Sequence, residues 1–139
     1  MTRFLSCTLA ALFALAPMLP ARAHGDAAHG GAPRAFDPAR GEATPFGQEG
    51  DPKKVTRTVQ VDMGDDMRFV PGTLTVRRGE TVRLRVANRG QVLHELVIGT
   101  PRELAEHAEQ MRKFPGMEHD APHMAHVKPG ATGEIVWQF

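Results

Sequence analysis

Cysteine is almost absent from this sequence. Of 139 residues only Cys7 is a cysteine, and it lies early in an apolar stretch near the N-terminus. A lipoprotein needs its cysteine at the cleavage boundary of the leader, so we interpret Cys7 as an ordinary leader residue. The rest of the chain therefore offers neither a disulfide nor a thiolate ligand for a metal ion.

The sequence also lacks a strong charge of either sign. It holds 17 basic and 16 acidic residues, and removing residues 1–23 takes away Arg3 and Arg22 and no acids, which leaves a formal charge of −1. No basic patch indicates nucleic acid as a partner.

Catalytic patterns are missing too, because we find no Ser/His/Asp set and no phosphate-binding loop. The adjacent acids Asp65 and Asp66 are typical of a turn, so we expect no enzyme.

Residues 1–23 have the features of a secretory signal peptide. Arg3 supplies the positive start, residues 4–16 are mostly apolar, and residues 21–23 form a small-x-small cleavage site. The apolar run is too short for a membrane-spanning helix. We therefore expect a periplasmic protein with no membrane span after signal cleavage, and we favour this over a retained N-terminal anchor.

Residues 24–54 are rich in Gly, Ala, Pro and charge, with hardly any apolar periodicity. Such a composition buries too little surface to offset its ordering entropy, so it predicts a flexible arm. Cleavage after residue 23 would make His24 the N-terminal residue, whose amine and imidazole can chelate Cu(II) with His29 nearby. A solvated tail with two histidines is the alternative, and we favour it over a metal site.

Alternation of apolar and polar residues predicts successive strands in the middle of the chain. The predicted strands are 55–63, 73–77, 81–86 and 94–98. His94 shares its parity with Leu96 and Ile98, so we expect it on the core side at the end of a strand. A histidine in that position can be half buried with one ring nitrogen free.

The pattern then changes from strand to helix at about residues 100–113. Thr100 is a suitable N-cap, a proline follows it, and Glu103 completes a capping box. Leu104, Ala108 and Met111 recur at helical spacing and predict the buried face.

The stretch 116–127, GMEHDAPHMAHV, is dense in possible metal ligands. These are Met117, His119, His123, Met124 and His126, with His107 and Met111 just upstream. Imidazole and thioether together favour copper over magnesium or calcium, although the histidine spacing is also within the range of zinc ligation. An exposed loop whose methionines pack against the sheet is an equal alternative. The sequence does not decide which of these residues would be ligands.

The last predicted strand, residues 133–139, carries large apolar side chains on one face. The sequence stops inside this pattern at Phe139. Because a sandwich strand needs partners, we expect the domain to be truncated at its C-terminus.

Three short patterns together resemble the cupredoxin (plastocyanin/azurin-like) family, and most closely its small periplasmic members associated with copper tolerance. They are Phe69-x-Pro71, then Val76-x-x-Gly79-Glu80-x-Val82, then Asn88 followed by His94. The resemblance covers about residues 55–139 and implies a Greek-key β-sandwich with one inserted helix. It also implies that His94 is the first ligand of a mononuclear copper site. Members of the family normally supply Cys, His and Met in a later loop, which this chain lacks.

We therefore expect an all-β, cupredoxin-like domain that binds copper. The intact family serves copper tolerance or electron transfer, whereas the missing thiolate favours copper binding or buffering here, with a redox or copper-handling protein as a partner. The alternative is a non-metal β-sandwich module that binds a protein partner in the periplasm. That alternative leaves the seven histidines unexplained.

Overall fold

Two β-sheets and one α-helix dominate the part of the chain that the structure describes. The computed structural model describes residues 35–139 except Gly116, Glu118 and His119. Its strands are β1 (Gln48–Glu49), β2 (Arg57–Met63), β3 (Phe69–Val70), β4 (Thr81–Asn88), β5 (His94–Val97), β6 (Met124–Val127) and β7 (Thr132–Gln138), and α1 spans Pro101–Lys113. One sheet has the order β1-β7-β4-β2-β3, and β5 pairs with β6 in the other. The predicted fold class, an all-β sandwich with one inserted helix, is confirmed.

The large sheet is organised around β4, which runs parallel to β2 and antiparallel to β7. Val82, Leu84 and Val86 alternate along β4 and are buried, because a strand sends every second side chain to the same face. Ile135 and Trp137 of β7 lie beside them in the core. The predicted period-two patterns of these two strands are therefore confirmed.

The small sheet pairs the predicted strand β5 with β6, and β6 forms where the sequence predicted only a loop after the helix. In β6, Ala125 and Val127 are buried, whereas His126 between them is exposed. Leu96 pairs with Ala125 across the sheet, and Glu95 pairs with His126. Apart from His94, the inner face of the small sheet is thus apolar, and its outer face carries polar and ionisable groups.

The predicted strand over residues 73–77 is wrong. These residues join no strand ladder, although Leu74 and Val76 still pack against the core. The carbonyl of Thr75 accepts a hydrogen bond from the Arg57 side chain at 2.8 Å instead of from a neighbouring strand. Leu74 and Val76 alternate because they pack against the core, but the backbone of this segment pairs with no strand. The period-two pattern therefore does not indicate a strand here.

Part of the segment assigned to the flexible arm contributes to the fold. Two short 3-10 helices, Pro38–Arg40 and Pro52–Lys54, flank β1, which pairs with β7. Phe46 packs against the core, and its carbonyl accepts a hydrogen bond from the Trp137 ring at 2.9 Å. The predicted signal peptide, His24 and His29 lie outside the described residues.

Helix α1 begins as predicted, with Thr100 and Glu103 forming a capping box. Its half-buried face agrees with the predicted one only at Met111, since the other half-buried side chains are Glu103, His107 and Glu109 while Leu104 is 38% exposed. The helix covers the polar outer face of the small sheet. A polar helix side chain, His107, therefore contacts that face. Within the described part of the chain, no helix is long and apolar enough to cross a membrane.

Candidate metal centre

His94 lies at the first position of β5, on the core side of the small sheet. Its side chain is 8% exposed, and its neighbour across the ladder is Val127. The Nε2 atom lies 2.9 Å from Oδ1 of Asp65. Among the described residues, the other ring nitrogen, Nδ1, has no hydrogen-bond partner. The core-side position predicted for His94 is therefore confirmed, with one ring nitrogen engaged.

Asp65 belongs to the turn between β2 and β3. Its two carboxylate oxygens accept hydrogen bonds from the backbone N–H of Gln91, at 3.0 and 2.9 Å. That backbone bond, followed by the bond with His94, lowers the pKa of Asp65 below its ordinary value of 3.8. The carboxylate is therefore ionised at neutral pH and accepts the bond, so that Nε2 of His94 carries the proton.

The loop between β4 and β5 is fixed by the buried side chain of Asn88. Its amide nitrogen donates to the carbonyls of Val92 and Val127, at 2.7 and 2.8 Å. Its amide oxygen accepts from the backbone N–H of Gly90 at 2.8 Å. These bonds satisfy the polar groups of the buried Asn88 side chain, and they hold the backbone that donates to Asp65.

A second cluster of ionisable groups lies on the outer face of the small sheet. Nε2 of His107, from α1, is 3.0 Å from Oε2 of Glu95, and Nε2 of His126 is 3.0 Å from Oε1. The second contact does not have hydrogen-bond geometry, since the buried Oε1 has no hydrogen-bond partner within the described residues. Because His94 points to the inner face, His94 and His126 lie on opposite sides of the sheet.

The structure describes four of the predicted ligands of residues 116–127, and their surroundings differ. The ring of His123 packs edge-on against Phe46 and Trp137, with centroids 5.6 and 5.9 Å apart. Met124 is half-buried on the outer face with His126. Met117 is 41% exposed, and His119 lies outside the described residues. Whether any of them binds a metal stays a prediction.

The described residues do not contain a preformed metal cage. Within 35–115, 117 and 120–139, no group of three or more His, Cys, Asp or Glu side chains is arranged to hold a metal ion. The imidazole of His94 fits copper as a single ligand, since imidazole suits that metal. A thiolate set does not fit residues 24–139, because they contain no cysteine.

Three residues of these sites were not singled out by the sequence patterns. The sequence indicates Asp65 only as a turn residue and His107 only as a neighbour of the His/Met stretch, and Glu95 is not among the candidate ligands. The topology of the sheet does indicate that Asp65 lies near the loop before His94. Because β2 and β4 run in parallel, the turns that follow them, which contain Asp65 and Gln91, lie at the same edge of the sheet.

Comparison with known proteins shows three similar chains, while no family model matches. The copper-resistant cuproprotein CopI of Rubrivivax gelatinosus is 48% identical over 130 residues, covering 93% of this chain and 79% of the relative. The CopI of Pseudomonas aeruginosa is 30% identical over 138 residues, covering 78% and 75%. The CopI of Vibrio cholerae is 36% identical over 87 residues, covering 62% and 52%. This chain therefore belongs to the family of copper-resistant cuproproteins CopI.

Proposed function

We propose that this chain is an exported, cupredoxin-like protein that binds copper as part of copper resistance, with His94 as its principal ligand. The observation that carries the proposal is the state of the His94 ring. Its Nε2 atom is engaged by Asp65 at 2.9 Å, which leaves Nδ1 as the nitrogen available for a metal. The relatives named copper-resistant cuproproteins support the choice of copper.

The surroundings of His94 favour binding with little rearrangement. The ring is nearly buried, its strand is paired with β6, and the loop before it is held by Asn88. A ligand fixed in this way loses little conformational entropy when it binds. Copper, when bound, supplies a centre that can exchange between Cu(I) and Cu(II).

Copper binding or buffering is the role that the described residues support by themselves. A blue electron-transfer centre uses two histidines, a cysteine thiolate and a weak axial methionine. Residues 24–139 contain no cysteine, so the chain as given supplies His94 without the thiolate. We propose that it acts as a binding protein rather than an enzyme, located in the periplasm, with a redox or copper-handling protein as its partner.

One observation favours the alternative of a non-metal module that binds a protein partner. Exposed apolar side chains occur on the segments next to Asp65 and His94. They are Met67, Phe69, Val70, Val92 and Leu93. Exposed apolar groups of this kind are typical of binding surfaces, so a partner can dock here without any metal.

Competition titration with a chromophoric copper chelator separates these two functions. We expect the purified protein to take up copper stoichiometrically, and His94→Ala to weaken the tightest site by at least tenfold. His123→Phe tests a candidate ligand of residues 116–127 for comparison, since it removes an imidazole but keeps a ring against Phe46 and Trp137. A wild-type protein without a stoichiometric site would contradict the proposal and favour the partner-binding module.

A further inference from the structure

Asp65 and His94 approach each other from two separate turns, at a distance of 2.9 Å between Oδ1 and Nε2. We propose that Asp65 is a positioning residue for His94: it keeps the ring proton on Nε2 and fixes the ring so that Nδ1 presents its lone pair to copper. This inference rests on the proposed function, in which His94 is the ligand. It assigns a specific role to a carboxylate that does not itself touch the metal.

The chemistry of metal-binding histidines supports this role. A histidine that binds a metal through one ring nitrogen generally donates the N–H of the other to a carboxylate, a carbonyl or water. The partner fixes the tautomer and the ring orientation, and a negative charge also makes the ligating nitrogen more basic. An ionised Asp65 next to Nε2 of His94 supplies both effects.

Asp65 is held in place independently of His94. Both of its carboxylate oxygens accept from the backbone N–H of Gln91. Its own turn is closed by a 3.0 Å bond from the N–H of Met67 to the carbonyl of Gly64. Although the Asp65 side chain is 44% exposed, it is anchored on both sides, unlike a free surface carboxylate. It can therefore orient the ring instead of following it.

Gly90 provides a second observation that points to the same pair. A Cβ atom built on Gly90 would overlap Oδ1 of Asp65 and lie 2.8 Å from Nε2 of His94. The hydrogen bond between the two side chains thus passes through the space that any other residue at position 90 would fill. Asn88 fixes Gly90 by accepting its N–H at 2.8 Å. The loop is shaped to let this contact form.

Three variants test the proposal in the full chain. Asp65→Ala removes the acceptor and the charge, and Asp65→Asn keeps an acceptor oxygen but removes the charge. Asp66→Ala is the matched control, because Asp66 is the neighbouring exposed acid, which accepts a hydrogen bond from the backbone N–H of Arg68 at 3.2 Å. Each variant is first checked for folding by its urea unfolding curve, and Asp65→Asn serves if Asp65→Ala does not fold.

Two readouts are needed, one without copper and one with it. In the copper-free protein, ¹⁵N NMR reports which nitrogen of His94 carries the proton and whether a protected ring N–H signal is visible. Chelator competition then reports the affinity for Cu(I). A change of fold stability alone would move neither the tautomer nor the protected N–H signal of a protein that remains folded.

We expect the wild-type protein and Asp66→Ala to show a protected Nε2–H signal and the same copper affinity. Asp65→Ala should lose the protected signal and bind copper about 10–100-fold more weakly. Asp65→Asn should keep the signal and lie between these limits in affinity, because the acceptor remains while the charge is gone.

A ring proton on Nδ1 in the wild-type protein would overturn the positioning role. Unchanged copper affinity in folded Asp65→Ala would overturn it as well. A wild-type protein with the proton on Nε2 that binds no copper would instead overturn the proposed function, so the two failures are distinguishable.

Discussion

Glu95 and His107 connect the small sheet to the helix that covers it. Nε2 of His107 lies 3.0 Å from Oε2 of Glu95, and both side chains are less than one-fifth exposed. His126 approaches the other oxygen of the same carboxylate from β6. One carboxylate thus contacts an imidazole from α1 and an imidazole from the neighbouring strand, and it links the helix to the small sheet.

Removing this carboxylate should loosen α1. Glu95→Ala leaves Nε2 of His107 without this acceptor and removes the carboxylate beside His126 in a half-buried place, so we expect a loss of about 1–3 kcal/mol in the free energy of unfolding. Urea denaturation measures the loss. Relative to the wild-type protein, amide hydrogen exchange should accelerate more in α1 than in β4. The control is Glu106→Ala, which removes an exposed partner 3.8 Å from Arg102 and should change stability by less than about 0.5 kcal/mol.

Replacing Asn88 should lower the free energy of unfolding by more than replacing an exposed polar residue would. It is 1% exposed and its side chain makes three hydrogen bonds. We expect Asn88→Ala to lower the free energy of unfolding by about 2–4 kcal/mol, measured by urea denaturation. Asn88→Asp has nearly the same shape but cannot donate to the carbonyls of Val92 and Val127. If Asn88→Asp were as stable as the wild-type protein, the two donated bonds would not be what fixes the loop.

The capping box of α1 should make the free energy of unfolding depend on pH in the acidic range. The hydroxyl of Thr100, and then its backbone N–H, lower the pKa of Glu103 from its ordinary value of 4.5. The stabilisation is therefore fully present above the pKa of the unfolded state and is lost as the pH falls through the lower pKa of the folded state.

We expect Glu103→Gln to reduce the fall in unfolding free energy between about pH 5 and pH 3. Unfolding curves at several pH values measure this slope. Glu106→Gln makes the same charge change on the exposed side of the helix and serves as the control. An identical slope in Glu103→Gln and the wild-type protein would show that the capping carboxylate does not contribute.

The core and the helix could be predicted from the sequence because they depend on local patterns. Val82, Leu84 and Val86 alternate in β4, and Thr100 with Glu103 determines where the helix begins. These features need no knowledge of distant residues. The same reasoning placed His94 on the core side of its strand, where the structure has it.

The partners of His94 and His107 could not be predicted in that way. Asp65 precedes His94 by 29 residues, and the two meet only because β2 and β4 end at the same edge of the sheet. Glu95 gains its two imidazoles from the helix and from β6, a strand whose pairing was not evident in the sequence. The half-buried face of α1 could be predicted only at Met111. Its other half-buried residues, such as Glu103 and His107, are polar because the sheet surface next to the helix is polar.

A residue-resolved titration with Cu(I) tests most directly whether His94 is the copper ligand. Cu(I) is diamagnetic, so the ring nitrogens of every histidine can be followed by ¹⁵N NMR as copper is added to the labelled protein. We predict that Nδ1 of His94 shifts with the first equivalent, while the proton on Nε2 stays bonded to Asp65. A His94 ring unchanged at one equivalent, with the shifts appearing at other histidines such as His107 and His126, would contradict the assignment of His94 as the principal copper ligand.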